Sequence, residues 1–188
     1  MTPDNVNSFV WFVWAVSWFG ASAWSDRTVK RAARGRELLY RGLALTGGVL
    51  LFARPARLAP KALWRLGPDP AWLSVAITVL GLVFTWWARI HLGRLWSGRV
   101  TRKAEHHIVA SGPYALVRHP IYFGVILAAF ATAALRGTAF GLLGASLIAA
   151  GLYTKARLEE QFLREELGSE GYDAYARRVP MLLPMPRR

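Results

Sequence analysis

Side chains able to do chemistry are concentrated in one stretch, residues 106–124, which lies between two long apolar segments. It contains the pair His106 and His107, the turn-forming Gly112-Pro113-Tyr114, and the run RHPIY at 118–122. Polar and ring-bearing groups at the mouth of a hydrophobic helix are costly unless they are used. Imidazoles exchange protons near neutral pH, and phenol rings attract cations through their faces. The stretch therefore predicts a binding or catalytic site at a membrane surface.

A second group of charged side chains follows the last apolar segment, in KARLEEQFLREELG at 155–168. Lys155 lies four residues before Glu159. Arg157 lies three residues before Glu160, so each of these two pairs shares one face of a helix. Such spacing is also typical of exposed ion pairs that contribute little to stability. From the residues alone, two interpretations of this segment remain: a solvated helix surface, or the second half of the site.

The composition excludes an ordinary soluble domain and any cysteine chemistry. The 188 residues are 54% hydrophobic and 13% aromatic, and the mean hydropathy of +0.25 is high for a soluble domain of this size. The chain has no cysteine, which excludes disulfides, thiolate metal sites and cysteine nucleophiles. The net charge of +13 comes in short basic blocks between apolar runs. This pattern is typical of membrane topology signals rather than of nucleic-acid binding, so a nucleic acid is not predicted as a partner. A metal site is not predicted either.

Hydropathy predicts an all-α, polytopic membrane protein with about five transmembrane helices and a cytoplasmic C-terminal amphipathic helix. The predicted spans are 6–24, 38–53, 71–90, 120–135 and 138–153. The amphipathic helix is expected to continue from the fifth span and to end at Gly168, a natural C-cap. We interpret 1–188 as a single domain. In it, 1–70 supplies two spans and a loop, and 71–188 carries the third span with the cofactor-binding and catalytic region.

The distribution of positive charge predicts the orientation of the chain. With the N-terminus outside, 18 of the 24 Lys and Arg residues fall in the cytoplasmic segments 25–36, 89–118 and 155–188. Cytoplasmic loops carry an excess of these residues, so this orientation is favoured. It places the stretch at 106–124 and the charged tail on the same side of the membrane.

Five fragments together resemble a known enzyme family. They are RIHLGRLWS (89–97), SGPYALVRHPIYFG (111–124), RLEEQFL (157–163), GYDAY (171–175) and RVPMLLP (178–184). In this order and spacing they resemble the isoprenylcysteine carboxyl methyltransferases and their relatives, the phospholipid methyltransferases. The resemblance covers about the C-terminal half of the chain and is specific as a set.

The resemblance implies an integral membrane methyltransferase that uses S-adenosylmethionine and releases S-adenosylhomocysteine. No G-x-G-x-x-G motif is present, so a Rossmann-type site is not available for this cofactor. The pocket would instead lie at the cytoplasmic ends of the helices. The resemblance assigns ten residues to cofactor binding: His106, His107, Ile108, Val109, Tyr114, His119, Pro120, Ile121, Tyr122 and Glu159. It assigns catalytic roles to Lys155, Arg157 and Glu160, and it leaves open which of Glu159 and Glu160 meets the cofactor.

The methyl acceptor stays open at this point. The family carries an arginine four residues before the first glutamate, where it meets the substrate, and this chain has Lys155 there. Lysine keeps the charge but not the bidentate fork that suits a carboxylate. An amphipathic or lipidic acceptor that enters from the bilayer is expected, with phospholipid N-methylation or small-thiol S-methylation as alternatives. A non-enzymatic membrane adaptor with the same fold is a further alternative.

Small residues predict where the helices approach each other closely. Gly137, Gly141, Gly144 and Gly151, with several alanines, predict that the fourth and fifth spans pack tightly on each other. Gly124 and Ala128 are expected to border a lateral opening through which a lipidic acceptor would enter.

Overall fold

The computed structural model describes residues 1–21, 28–31, 34–53, 62–93, 101–103, 109–167 and 169–184. The described residues form seven helices and one short two-stranded ribbon. In chain order the elements are α1 (Pro3–Ala21), β1 (Thr28–Arg31), α2 (Arg34–Phe52), α3 (Pro68–Leu92), β2 (Thr101–Lys103), α4 (Pro113–Leu116), α5 (Pro120–Arg136), α6 (Ala139–Leu167) and α7 (Ser169–Arg178).

The helix that begins the candidate site, α5, has clear start and stop signals. It begins at Pro120, whose missing N–H would have no partner in a first turn anyway. It ends at Gly137, which has a left-handed backbone with a φ of 59° and donates its N–H to the carbonyl of Ala133. A side chain would be strained in that conformation, so glycine is required for the tight turn into α6.

The predicted helical architecture is confirmed in outline. Five long helices correspond to the five predicted spans, and the fifth span continues without a break into the charged tail as the 29-residue helix α6. Two of the described helices, α3 and residues 139–165 of α6, are long and apolar enough to cross a bilayer, and α5 is a shorter apolar helix. The cap predicted at Gly168 lies outside the described residues.

The ribbon of β1 and β2 is an addition to the predicted all-α architecture. The strands pair antiparallel, with Thr28 opposite Lys103 and Arg31 opposite Thr101. Both segments are short and basic and lack an alternating apolar pattern, which is the usual sequence signal of a strand. The two strands form because these segments, which are distant in sequence, pair with each other.

The helices pack in two close pairs, α3 with α5 and α2 with α6. Each pair crosses at two facing glycines. A Cβ on Gly124 of α5 would lie 2.5 Å from the carbonyl of Gly81 in α3, and a Cβ on Gly144 of α6 would lie 2.6 Å from that of Gly47 in α2. Such contacts bring the two backbones together, which is how small residues act in helix interfaces.

Two packing predictions need correction. Gly144 and Gly151 face α2 and not the neighbouring span α5, because their nearest atoms belong to Gly47, Leu51 and Tyr40. Gly124 and Ala128 do not border an opening. Gly124 abuts Gly81 and Thr85 in α3, and Ala128 is completely buried.

Candidate active site

The start of α5 places an imidazole and a phenol side by side. His119 is the N-cap of α5, and Tyr122 follows three residues later, nearly one turn of the helix. Their rings stack with centroids 5.3 Å apart and planes only 5° from parallel. Both side chains are buried, each with 8% of its surface exposed. The motif therefore forms one rigid aromatic unit.

The polar end of α6 brings two adjacent carboxylates to this unit. The Tyr122 hydroxyl lies 2.7 Å from both Oε1 and Oε2 of Glu159 and donates its proton there. His119 is held between the carboxylates, with Nδ1 3.5 Å from Glu159 Oε2 and Nε2 3.4 Å from Glu160 Oε1. The two motifs that are separated in sequence are thus one buried cluster.

Lys155 lies one turn before Glu159 on the same face of α6. Its Nζ is 3.8 Å from Glu159 Oε1, which confirms the predicted shared face. It also lies over the rings of Tyr122 and Tyr40, 5.2 and 5.8 Å from their centroids. An ammonium within about 6 Å of an aromatic face is attracted by its negative electron density. Lys155 is therefore a buried cation beside the carboxylate cluster.

Sequence reasoning gave no role to Arg118, although the residue stands inside the quoted motif. Its Nε donates to Glu160 Oε1 at 2.7 Å, and one Nη donates to the carbonyls of Ala176 and Val179 at 2.8 and 2.7 Å. Both side chains of the ion pair are buried. Arg118 thus joins α6, α7 and the start of α5. In the sequence, the position of Arg118 directly before His119 was the one indication of such a role.

The C-terminal segment also holds the site. The backbone N–H groups of Arg118 and His119 donate to the carbonyls of Pro180 and Met181 at 2.9 and 3.1 Å. The Tyr175 hydroxyl of α7 donates to the carbonyl of Tyr114 at 2.7 Å. The fragments GYDAY and RVPMLLP therefore hold the backbone of residues 114, 118 and 119 in place through hydrogen bonds.

Tyr114 forms the next wall of the cluster. It is buried with Ile121, Tyr122 and Ala156, and Val109 packs against them. Burial raises the pKa of the Tyr114 phenol, so the ring stays neutral at physiological pH. Gly112, two residues before Tyr114, has a φ of 56° and lies against the ring of His91, where a Cβ would be only 2.7 Å from that ring.

One buried polar atom of His119 has no hydrogen-bond partner among the described residues. Nε2 is close to Glu160 but is not in hydrogen-bond geometry. Burial alone would lower the pKa of His119, but the contacts and charges of Glu159 and Glu160 outweigh it and raise the pKa. Nε2 is therefore next to the Glu160 carboxylate without a hydrogen bond of good geometry to it.

The structure brings most of the predicted site residues together. They are Val109, Tyr114, His119, Pro120, Ile121, Tyr122, Lys155, Glu159 and Glu160. Arg157 is exposed on α6 and does not share the buried face of Lys155 and Glu160. Glu160 pairs with Arg118 instead of Arg157. His106, His107 and Ile108 lie outside the described residues.

Comparison with known families gives the same assignment as the motifs. The model of the isoprenylcysteine carboxyl methyltransferase family matches residues 74–165. This part of the chain, 92 of its 188 residues, is similar to that family. The match extends from α3 through Glu159 and Glu160, so it includes the described cluster of the two motifs.

Individual relatives of the chain carry different names. Methanethiol S-methyltransferase 1 of Bradyrhizobium diazoefficiens is 32% identical over 177 residues, which cover 87% of this chain and 59% of the relative. The nickel-cobalt-cadmium resistance protein NccN of Alcaligenes xylosoxydans xylosoxydans is 28% identical over 126 residues, 62% of this chain and 54% of that protein. The protein-S-isoprenylcysteine O-methyltransferase of Schizosaccharomyces pombe is 30% identical over 84 residues, 45% of this chain and 36% of that protein.

The chain spans 59% of the length of the first of these relatives and 54% of the second. These comparisons do not determine the methyl acceptor. The chain is similar both to a relative named for a thiol and to one named for an isoprenylcysteine. Helices α1 and α2, and the C-terminal residues from 166 onward, lie outside the family match.

Proposed function

We propose that residues 1–188 form a single integral membrane methyltransferase domain that transfers a methyl group from S-adenosylmethionine to an amphipathic or lipidic acceptor. The observation that carries this proposal is the buried cluster of His119, Tyr122, Glu159 and Lys155, which lies within or directly beside the family's matched motifs. Such a concentration of ionisable groups is expensive to bury and is typical of a functional site.

The chemistry of the cluster fits the proposed cofactor. S-adenosylmethionine supplies an electrophilic methyl group on a cationic sulfur. The Glu159 carboxylate suits the ammonium of the amino-acid part. His119 Nε2, which makes no hydrogen bond of good geometry among the described residues, suits a carboxylate or a ribose hydroxyl. The faces of Tyr114 and Tyr122 suit a cation. His106, His107, Ile108, Val109, Pro120 and Ile121 remain proposed as lining residues on the resemblance.

The surroundings of the two carboxylates favour different roles. Glu160 has a short contact to Arg118 and is only 3% exposed. This ion pair disfavours it as a proton acceptor and favours a role in positioning His119. The side chain of Glu159 is 20% exposed and faces Tyr122 and Lys155. We therefore assign Glu159 to the cofactor.

A small thiol is the second candidate acceptor. Several relatives are named methanethiol S-methyltransferases, and one of them matches 87% of this chain. A thiol must lose its proton before it attacks, whereas a carboxylate is already anionic. Lys155 is proposed to meet the acceptor in either case, while Arg157 keeps a proposed catalytic role only through the resemblance.

A membrane location is supported by the outer surfaces of the helices. In both candidate spans more than half of the apolar window is not buried inside the protein. Large apolar side chains point outward on several helices, among them Phe12, Phe19, Leu45, Val49, Leu80, Val83 and Leu143. Exposed apolar side chains in this number are typical of contact with lipid or with another protein. We propose five spans with a cytoplasmic C-terminus. A reporter fused after Arg188 that reads out on the other side would overturn this topology.

The function is tested first by binding and then by turnover. Detergent-purified protein is titrated with S-adenosylmethionine by calorimetry, beside the His119→Ala and Glu159→Gln variants. Methyl transfer is then measured to farnesylated N-acetylcysteine, phosphatidylethanolamine and methanethiol. We expect saturable binding that both variants lose, and transfer to one acceptor class. Absence of cofactor binding by the unaltered protein would refute the enzyme and favour the adaptor.

A further inference from the structure

A phenol hydroxyl from α2 is buried without a hydrogen-bond partner among the described residues. Tyr40 is 5% exposed, and its Oη has no partner in hydrogen-bond geometry. Tyr40 packs with Phe162 and Leu158 of α6. Buried hydroxyls are nearly always paired, so an orphaned one needs an explanation. A ligand that is bound there is one such explanation.

The backbone around Tyr40 is held firmly against α6. A Cβ on Gly151 would lie only 2.8 Å from the Tyr40 carbonyl, so the two helices touch at this point. The charged neighbours of Tyr40 on its own helix, Glu37 and Arg41, pair with each other at 3.0 Å. Packing thus holds the Tyr40 ring against α6, and the hydroxyl makes no hydrogen bond of good geometry to either of these two charged groups.

Tyr40 borders the candidate active site. The Nζ of Lys155 lies over both the Tyr40 and the Tyr122 rings, 5.8 and 5.2 Å from their centroids. The same Nζ lies 3.8 Å from Glu159 Oε1. The Tyr40 ring therefore lies on the ammonium of Lys155, which is next to the carboxylate assigned to the cofactor.

We propose that the Tyr40 hydroxyl donates a hydrogen bond to the nucleophilic group of the methyl acceptor, beside Lys155. The inference rests on the proposed function. The two donors suit an anionic nucleophile, a carboxylate or a thiolate, and they do not suit an amine that would face an ammonium. Because α2 lies outside the family match at 74–165, this specificity-determining residue comes from the part of the chain that the family motifs do not describe.

The test compares Tyr40→Phe with Tyr153→Phe, which removes the same hydroxyl from an exposed tyrosine of α6. The acceptors are farnesylated N-acetylcysteine and methanethiol. A lost hydrogen bond to a charged group corresponds to about a 10-fold or greater loss of affinity. For Tyr40→Phe we expect such a rise in the KM of the acceptor that is used, with an unchanged S-adenosylmethionine Kd and Tm. Tyr153→Phe should match the unaltered protein.

A second measurement does not depend on turnover. Binding of the same acceptor is titrated in the presence of S-adenosylhomocysteine, and it should weaken in Tyr40→Phe to the same extent as KM rises. Equal acceptor KM and binding in Tyr40→Phe and the unaltered protein would overturn the proposal, as would a loss of cofactor affinity in that variant. Failure of the unaltered protein to bind S-adenosylmethionine would be visible before any acceptor is added. That result would refute the proposed function itself.

Discussion

The hydroxyl of Tyr122 lies 2.7 Å from both carboxylate oxygens of Glu159, and this contact joins the start of α5 to the polar end of α6. The same phenol ring stacks on His119. Tyr122 therefore does two separable things: its ring orients the imidazole, and its hydroxyl orients the carboxylate.

Tyr122→Phe separates these two contributions. The ring stack remains, but Glu159 loses a donor, and a hydrogen bond to a charged group is worth about 1.5–3 kcal/mol. We expect S-adenosylmethionine affinity to fall about 10-fold or more, as measured by calorimetry. Tyr153→Phe is the matched control because Tyr153 is exposed on α6. An unaltered affinity in Tyr122→Phe would show that the contact does not orient the carboxylate for the cofactor.

The two glutamates should respond differently to the same substitution. Glu159→Gln removes the proposed partner of the cofactor ammonium, so the free energy of cofactor binding should weaken by about 2–5 kcal/mol. The Tm should fall less than in Glu160→Gln, because the Glu159 side chain is 20% exposed and that of Glu160 only 4%. Glu160→Gln leaves the buried Arg118 guanidinium without its carboxylate, which should cost roughly 3–5 kcal/mol in the free energy of unfolding.

Glu165→Gln, at an exposed position of α6, is the control for both glutamate variants. The measurements are calorimetric titration and thermal unfolding in detergent. If Glu160→Gln kept its Tm and lost cofactor affinity instead, the roles of the two carboxylates would have to be exchanged.

The glycine crossing of α3 and α5 is predicted to be intolerant of a single methyl group. A Cβ on Gly124 would meet the Gly81 carbonyl at 2.5 Å and the Thr85 Cγ2 at 2.7 Å. Overpacking of this kind costs typically about 1–3 kcal/mol, so Gly124→Ala should lower the Tm. Gly48→Ala in α2 meets no atom within 4 Å and should be neutral or slightly stabilising. A Tm of Gly124→Ala equal to that of Gly48→Ala would contradict the observed packing.

His119 predicts a pH dependence of stability with a defined sign. Its pKa is raised above 6.5 because its contacts with Glu159 and Glu160 outweigh the effect of burial. The folded protein therefore binds the proton more tightly than the unfolded chain. The stabilisation is complete below about pH 6.5 and is lost as the pH rises through the higher, folded-state pKa.

This dependence is measured as the difference in Tm between the unaltered protein and His119→Asn, between pH 6 and pH 9. The difference should shrink as the pH rises. A difference that grows with pH would mean that the neutral imidazole is the stabilised form, and the assignment of a charged His119 would fail.

Much of the candidate site was predictable, because each half is a local pattern. His119, Pro120 and Tyr122 lie within one turn at the start of an apolar segment, and Lys155 and Glu159 share a helical face by their spacing. The role of Arg118 was not predictable in this way, since its partner Glu160 is 42 residues distant. The orphaned hydroxyl of Tyr40 also becomes visible only when α2 and α6 are placed together.

The sequence by itself determined the helices, their approximate ends and the residue types of the site, since hydropathy, proline and glycine act over a few residues. Tertiary structure alone decided which helices pair. Gly144 fits α2 because Gly47 faces it, and no local pattern encodes that match. It also decided which charges are buried. Glu160 meets Arg118 while Arg157 faces outward, because the face of α6 that is buried depends on what packs against it.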